Sequence, residues 1–164
     1  MKIMQTERLK LSELNITHTE FMFELLNSPK WVRFIGDRNI KTKEDAAAYI
    51  NKIRLNPQAD YWVVTSKEDG TALGVVTFIK RDYLDDFDIG FAFLERYEKK
   101  GYAYEASKCL LDEVRPNHEN IVATVLKDNN NSIHLLQKLG LYFDKEITVN
   151  NEVLHLYSTA AKRD

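Results

Sequence analysis

Apolar positions along the chain change period several times, and each change marks an element. Residues 8–14 alternate apolar and polar side chains, as an early or edge strand does. Thr17 with Glu20 three residues on reads as a capping box. The helix it would open carries Phe21 and Leu25 and stops near Asn27-Ser28-Pro29. The stretch 31–40 is aromatic and basic without a clean period. Thr42 caps a second helix through Ala46, Ala47, Ile50 and Ile53, which Asn56-Pro57 ends. Residues 61–65 and 72–80 read as strands joined by a hairpin-type turn, Lys67-Glu68-Asp69-Gly70, and 86–94 as a third strand. From there the period lengthens: Ala103, Ala106, Leu110 and Val114 share one face of a helix entered at Gly101. A buried strand at 120–126 follows, then a helix at 129–139 with Ile133, Leu136 and Leu139 on one face and Gly140 as its stop. Residues 141–149 and 153–159 pair across Asn150-Asn151, a favoured two-residue turn. This order predicts a mixed, mostly antiparallel α/β sheet (α+β type) with helices on both faces.

Composition narrows the class. At 164 residues and 44% hydrophobic content, the chain suffices for one domain, 1–164, with a full core. Its 23 basic and 25 acidic residues are interspersed, so a sequence-independent grip on nucleic acid is not expected. No apolar run approaches the roughly 20 residues of a membrane span, and no signal peptide opens the chain. Cys109 is the only cysteine and lies beside Ala106 and Leu110, which makes it a core residue and fits a reducing compartment. Four scattered histidines and no Cys-x-x-Cys argue against a metal site. The expectation is a soluble, cytoplasmic protein without a metal.

The stretch Glu98-Lys99-Lys100-Gly101-Tyr102-Ala103 carries the first chemistry. It leaves a strand and opens a helix, where backbone N–H groups lack partners and the macrodipole adds positive charge. Gly101 and Ala103 keep side chains off those donors, and two lysines add attraction, so the stretch suits a phosphate or pyrophosphate. Neither G-x-x-x-x-G-K-[ST] nor G-x-G-x-x-G is present, so it is not a P-loop or a dinucleotide fingerprint.

It resembles the [QR]-x-x-G-x-[GA] motif A of the GNAT family of N-acetyltransferases, with Glu98 in place of Gln or Arg. Further stretches resemble the branch of ribosomal-protein N-terminal acetyltransferases. They are Thr6-Glu7-Arg8-Leu9-x-Leu11 near the start, Ile89-Gly90-Phe91 before motif A, Gly101-Tyr102-Ala103-x-Glu105-Ala106, and Asn129-x-x-Ser132 followed by Lys138-Leu139-Gly140. The resemblance implies the GNAT fold, with splayed strands forming an acyl-CoA cleft and acetyl-CoA as co-substrate. Phe93 and Leu94 would offer strand backbone to the pantetheine arm and an N–H to polarise the acyl carbonyl. Lys99, Lys100, Gly101, Tyr102 and Ala103 would hold the pyrophosphate, and Asn129 and Ser132 would line the cleft. Trp31, Arg33 and Phe34 would wall the acceptor side. A carboxylate at Glu98 should repel the pyrophosphate, so Glu98→Gln is expected to tighten CoA binding.

Acetyl transfer to an amine needs a free lone pair on nitrogen. An α-amine, pKa about 7.7–8.0, is roughly 10% neutral at pH 7, and a lysine amine, about 10.4, below about 0.1%. By the resemblance, Asp88 lies where some members place a general base or water-relay residue. Many members use a motif-B tyrosine as acid, but that position here is Leu136, leaving Ser132 with a water, Tyr102 or Tyr142. The cluster Asp85, Asp86 and Asp88 favours a cationic acceptor. The acceptor is then a primary amine, either a protein N-terminus or a small molecule such as an amino acid, polyamine or drug. The alternative is a CoA-binding module without turnover. The closing hairpin can serve a homodimer.

Overall fold

The computed structural model describes residues 3–161. In chain order the elements are β1 (Ile3–Gln5), β2 (Leu9–Glu13), α1 (Thr19–Leu26), α2 (Pro29–Phe34), α3 (Lys43–Arg54), β3 (Ala59–Ser66), β4 (Ala72–Ile79), β5 (Asp88–Phe93), α4 (Tyr102–Val114), β6 (Val122–Val125), α5 (Asn130–Lys138), β7 (Tyr142–Val149) and β8 (Glu152–Ser158). Among the described residues eight strands form one sheet in the order β1-β2-β3-β4-β5-β6-β8-β7. Every neighbouring pair is antiparallel except β5 with β6.

Period-two alternation divides the core between the two faces. Val64 and Val76 pack with Leu9, Leu11, Ile89 and the α4 residues Leu110 and Leu111. Their neighbours Val63 and Val75 pack on the other face with Met22 and Leu25 of α1 and Ile50 of α3. Helices therefore cover both faces, as the hydrophobic pattern predicts. Asn150 and Asn151, at φ 51° and 65°, supply the left-handed pair that the β7–β8 turn requires.

Three local features differ from the sequence reading. The capping box is formed by Asn15 and His18 and not by Thr17 and Glu20. Asn15 Oδ1 accepts from the Thr17 amide at 2.9 Å, and His18 Nδ1 accepts from the Asn15 amide at 3.1 Å. An Asn side chain competes well for the first free amides, so a 3₁₀ turn precedes α1 and Glu20 reaches Lys43 on α3 instead. Strand β1 and helix α2 are additional elements, too short to show a period. In α2, Pro29 at the first turn presets the backbone and Trp31 anchors the helix in the core.

The one parallel pairing positions the site. Strands β5 and β6 meet only at Asp88 and Val122 and then separate. Beyond that point, β5 is paired on its β4 side alone.

Candidate active site

The gap between β5 and β6 opens a cleft of about 1140 Å³, and its walls come from α2, β5, the loop into α4 and the start of α5. Which backbone groups face this gap follows from the β4–β5 register. The Leu94 amide donates to the Leu73 carbonyl at 3.0 Å, and the Leu94 carbonyl accepts from the Tyr97 amide at 3.0 Å. Antiparallel strands alternate the direction of their polar groups, so those of Phe91 and Phe93 point away from β4 and toward the gap. Leu94 itself is buried and its backbone is already engaged. Phe93 is the residue with a strand amide to offer. Its ring crosses β4 where a Cβ on Gly74 would lie 2.5 Å away, so Gly74 makes its placement possible.

At one end of the cleft lies the loop into α4. Lys99 and Gly101 both adopt positive φ, 62° and 82°, the kind of turn in which successive amides can converge as a nest. Among the described residues the amides of 99–104 have no hydrogen-bond partner, whereas the next, Glu105, donates to the Gly101 carbonyl at 3.0 Å. Lys99, Gly101, Tyr102 and Ala103 line the cleft; the Lys100 side chain lies outside it. The Lys100 carbonyl instead accepts from Arg8 Nη1 at 3.0 Å.

Arg8 shows what the two separated motifs near residues 6 and 105 do together. Its Nε pairs with Glu105 Oε1 at 2.7 Å, and its guanidinium stacks over Tyr102 at 4.5 Å. Glu105 also accepts from the Thr6 hydroxyl and, at 3.1 Å, from the Arg8 amide. Burial works to raise the Glu105 pKa, but these bonds outweigh it and hold the carboxyl below its usual range. Thr6 and Arg8 thus tie β2 to the first turn of α4 and brace the nest from outside.

Glu98 is not a bare negative charge. Lys30 Nζ on α2 reaches Glu98 Oε2 at 2.8 Å. This pair offsets the repulsion expected for an anion in the nest. Asn129 Oδ1 caps α5 by accepting from the Ser132 amide at 3.4 Å, and both residues line the cleft. Leu136, at the position of the family tyrosine, is core.

The other end of the cleft is built on the α1–α3 face of the sheet. Tyr61, Thr77 and Gly90 lie in register across β3, β4 and β5. A Cβ on Gly90 would sit 2.6 Å from Thr77 Oγ1, so the glycine leaves an open floor beside the threonine. Asp88, on the same face as Gly90, is 4% exposed. Arg81 Nε donates to its Oδ2 at 2.6 Å. Burial pushes the Asp88 carboxyl up to about 6, against the opposing pull of Arg81 and the Thr124 amide. The three neighbouring aspartates therefore do not share one open surface. Asp88 is buried and paired, Asp86 accepts from Asn120 Nδ2 at 3.0 Å, and only Asp85 is exposed without a partner.

The structure thus brings Asp88, Phe93, Lys99, Gly101, Tyr102, Ala103, Asn129 and Ser132 to one cleft, and adds Lys30, Arg38, Arg81 and Tyr61. Ion pairs between distant segments leave no mark in a one-dimensional pattern, so Lys30 and Arg81 were not readable. The conjunction of Thr6-Glu7-Arg8 with Glu105 was the signal available for the brace.

A family model for the acetyltransferase (GNAT) domain matches residues 8–142. The chain is 28% identical over 153 residues to an uncharacterized N-acetyltransferase, YnaD, of Bacillus subtilis, covering 90% of this chain and 89% of that protein. It is similar in fold to RimL, a ribosomal L7/L12 alpha-N-protein acetyltransferase solved with coenzyme A. The TM-score is 0.82 at 14% identity, over 96% of this chain and 97% of that one. It is similar also to the microcin C7 self-immunity acetyltransferase MccE, solved with acetyl-CoA and AMP, at a TM-score of 0.79 and 18% identity over 93% and 92% of the two chains. With a domain match that takes in β2 through the start of β7, the chain belongs to the GNAT family of acetyltransferases.

Proposed function

We propose that this protein transfers an acetyl group from acetyl-CoA to a primary amine by direct attack, without a covalent enzyme intermediate. The observation that carries this reading is the run of unpartnered amides at 99–104, at one end of a cleft whose other end holds the buried Asp88. An orphaned nest at a helix N-terminus fits a pyrophosphate, and the solved relatives hold CoA and acetyl-CoA. Acetyl-CoA supplies a thioester: the amine forms a C–N bond, the C–S bond breaks, and a proton leaves the nitrogen while the thiolate gains one.

The chain's own groups divide that work. Lys99, Gly101, Tyr102 and Ala103 hold the pyrophosphate, with Lys100 adding charge from outside the cleft. Phe91 and Phe93 present strand backbone to the amides of the pantetheine arm, and the Phe93 N–H polarises the acyl carbonyl. Asp88 accepts the ammonium proton through a water. An ordinary aspartate lies about 4 pKa units below an α-ammonium, a climb of about 5.5 kcal/mol; at about 6 the climb falls to about 3 kcal/mol. Ser132 stands at the thiol end, where a hydroxyl can relay a proton to sulfur.

The test is thiol release from acetyl-CoA with a panel of amines, with mass spectrometry of the products. The expected result is release that depends on the added amine, with one acetyl group gained per product. Tight acetyl-CoA binding with no turnover across amino acids, peptides, polyamines and aminoglycoside-type amines would contradict it.

A further inference from the structure

Pairing the charges around the cleft exposes an asymmetry at its acceptor end. Lys30 is taken by Glu98, Arg33 reaches Asp128 at 3.7 Å across the mouth, and Arg81 is taken by Asp88. Arg38, which also lines the cleft, has no acidic partner among the described residues. Its guanidinium lies back over Gly36, where a Cβ would come within 2.9 Å of an Arg38 terminal nitrogen. Gly36 has φ +127°, a conformation that other residues rarely adopt. Arg81 gives only its Nε to Asp88, so the rest of its fork has no hydrogen-bond acceptor among the described residues. Both arginines are near enough to Tyr61 and Tyr83 to act on the hydroxyl of each. Four side chains therefore line the acceptor end of the cleft together with Gly90, with the Arg38 cation and the outer fork of Arg81 left unpaired among the described residues.

We propose that the acceptor carries an oxyanion, a carboxylate or a phosphate, a few bonds from its amine, held between Arg38 and Arg81 beside Tyr61 and Tyr83. The inference rests on the acetyltransferase reading and gives it a substrate class. Guanidinium forks match carboxylate and phosphate geometry, and the Tyr83 hydroxyl adds a neutral donor, while Tyr61 is held in place by Tyr49. The fixed oxyanion then leaves the neighbouring amine on the Asp88 side of the floor. A polyamine would instead bring further positive charge against Arg38 and Arg81. On this reading the buried member of the acidic run at residues 85–88 is already neutralised by Arg81 and adds no preference for a cation.

The experiment compares matched acceptors. An α-amino acid is set against its carboxamide, phosphoethanolamine against ethanolamine, and spermidine and short peptides complete the set. The expected result is a kcat/KM at least about tenfold higher for the anionic member of a pair, expressed mainly in KM. Whichever pair shows the larger ratio identifies carboxylate or phosphate as the source of the anion. In Arg38→Gln, shown folded by circular dichroism, that ratio falls toward one, whereas Arg38→Lys, which keeps the charge but loses the fork, retains only part of it. Equal or better transfer to carboxamides, ethanolamine or spermidine, or to peptides regardless of acidic side chains, would overturn the inference and leave the acetyltransferase reading standing. A ratio unmoved by Arg38→Gln would also overturn it. No transfer to any acceptor by a protein that binds acetyl-CoA removes both readings.

Discussion

The two ends of the cleft present different kinds of groups to a ligand. At the α4 end the donors are backbone amides, set by two positive-φ residues and a helix start, with charged side chains in support. At the β5 end the groups are side chains, brought together from α2 and its following loop, from β3 and β4, and from the segment between β4 and β5. A backbone site depends on local conformation, so a few adjacent residues encode it and its chemistry changes little when side chains vary. A side-chain site depends on tertiary juxtaposition, and its specificity moves with each substitution. On the function proposed above, the cleft has a constant half, suited to a shared co-substrate, and a variable half, suited to a particular acceptor.

Breaking the variable half at its most buried charge should have the largest effect. Asp88→Asn is expected to lower kcat about 100-fold while leaving acetyl-CoA affinity within about twofold, measured by steady-state kinetics and calorimetry. Wild-type kcat should rise with pH through about 6, the region to which burial raises Asp88, and the variant should lose that step. Stability carries the opposite sign. Because the folded-state pKa lies above the unfolded one, the contribution of Asp88 is fully present below about pH 4 and is lost as pH rises through about 6. Relative to Asp88→Asn, the wild type should lose up to about 3 kcal/mol of unfolding free energy over that window, read from urea titrations. A pH-independent difference between the two proteins would contradict this assignment.

A smaller effect is expected from loosening the brace on the constant half. Glu105→Ala leaves the Thr6 hydroxyl and Arg8 Nε without their acceptor. Acetyl-CoA affinity should fall about tenfold and stability by about 1–2 kcal/mol, as the first turn of α4 loses its tie to β2. Affinity equal to wild type in a destabilised variant would reduce the brace to a structural role.

The smallest effect sharpens the comparison by charge alone. Glu98→Gln removes a carboxylate that Lys30 already offsets, so acetyl-CoA should bind only about twofold to fivefold tighter at low salt. The gain should vanish near 0.5 M salt. A larger gain would mean that Lys30 does not shield Glu98 in solution.

The same contrast governs what could be read from the chain. Helix periods, the Asn150-Asn151 turn and the Gly101 start all express local physics, and they fall where the pattern puts them. So does the orphaned nest, because free amides at a helix start follow from helix geometry itself. Lys30 and Glu98 lie 68 residues apart, and Arg8 and Glu105 97 apart. No period connects such partners, so the sequence shows Glu98 only as a misplaced negative charge. The direction of the Leu94 amide was hidden for another reason. It depends on the β4–β5 register, and a shift of one residue would have exchanged the roles of Phe93 and Leu94. Asp88 looked like part of an acidic surface because its neighbours are acidic, while its burial follows from the place where β5 and β6 part.

The central claim is that the 99–104 nest binds the pyrophosphate of acetyl-CoA, and calorimetric titration tests it most directly. The native protein and Gly101→Glu are titrated side by side, with circular dichroism to confirm the variant's fold. Gly101 holds φ +82°, and a Cβ there would lie 3.3 Å from an Arg8 terminal nitrogen, so glutamate strains the turn that sets the nest and adds a negative charge beside it. The expected result is micromolar binding by the native protein and a loss of at least about 100-fold in the folded variant. No binding by the native protein, or equal binding by the two, would contradict the account.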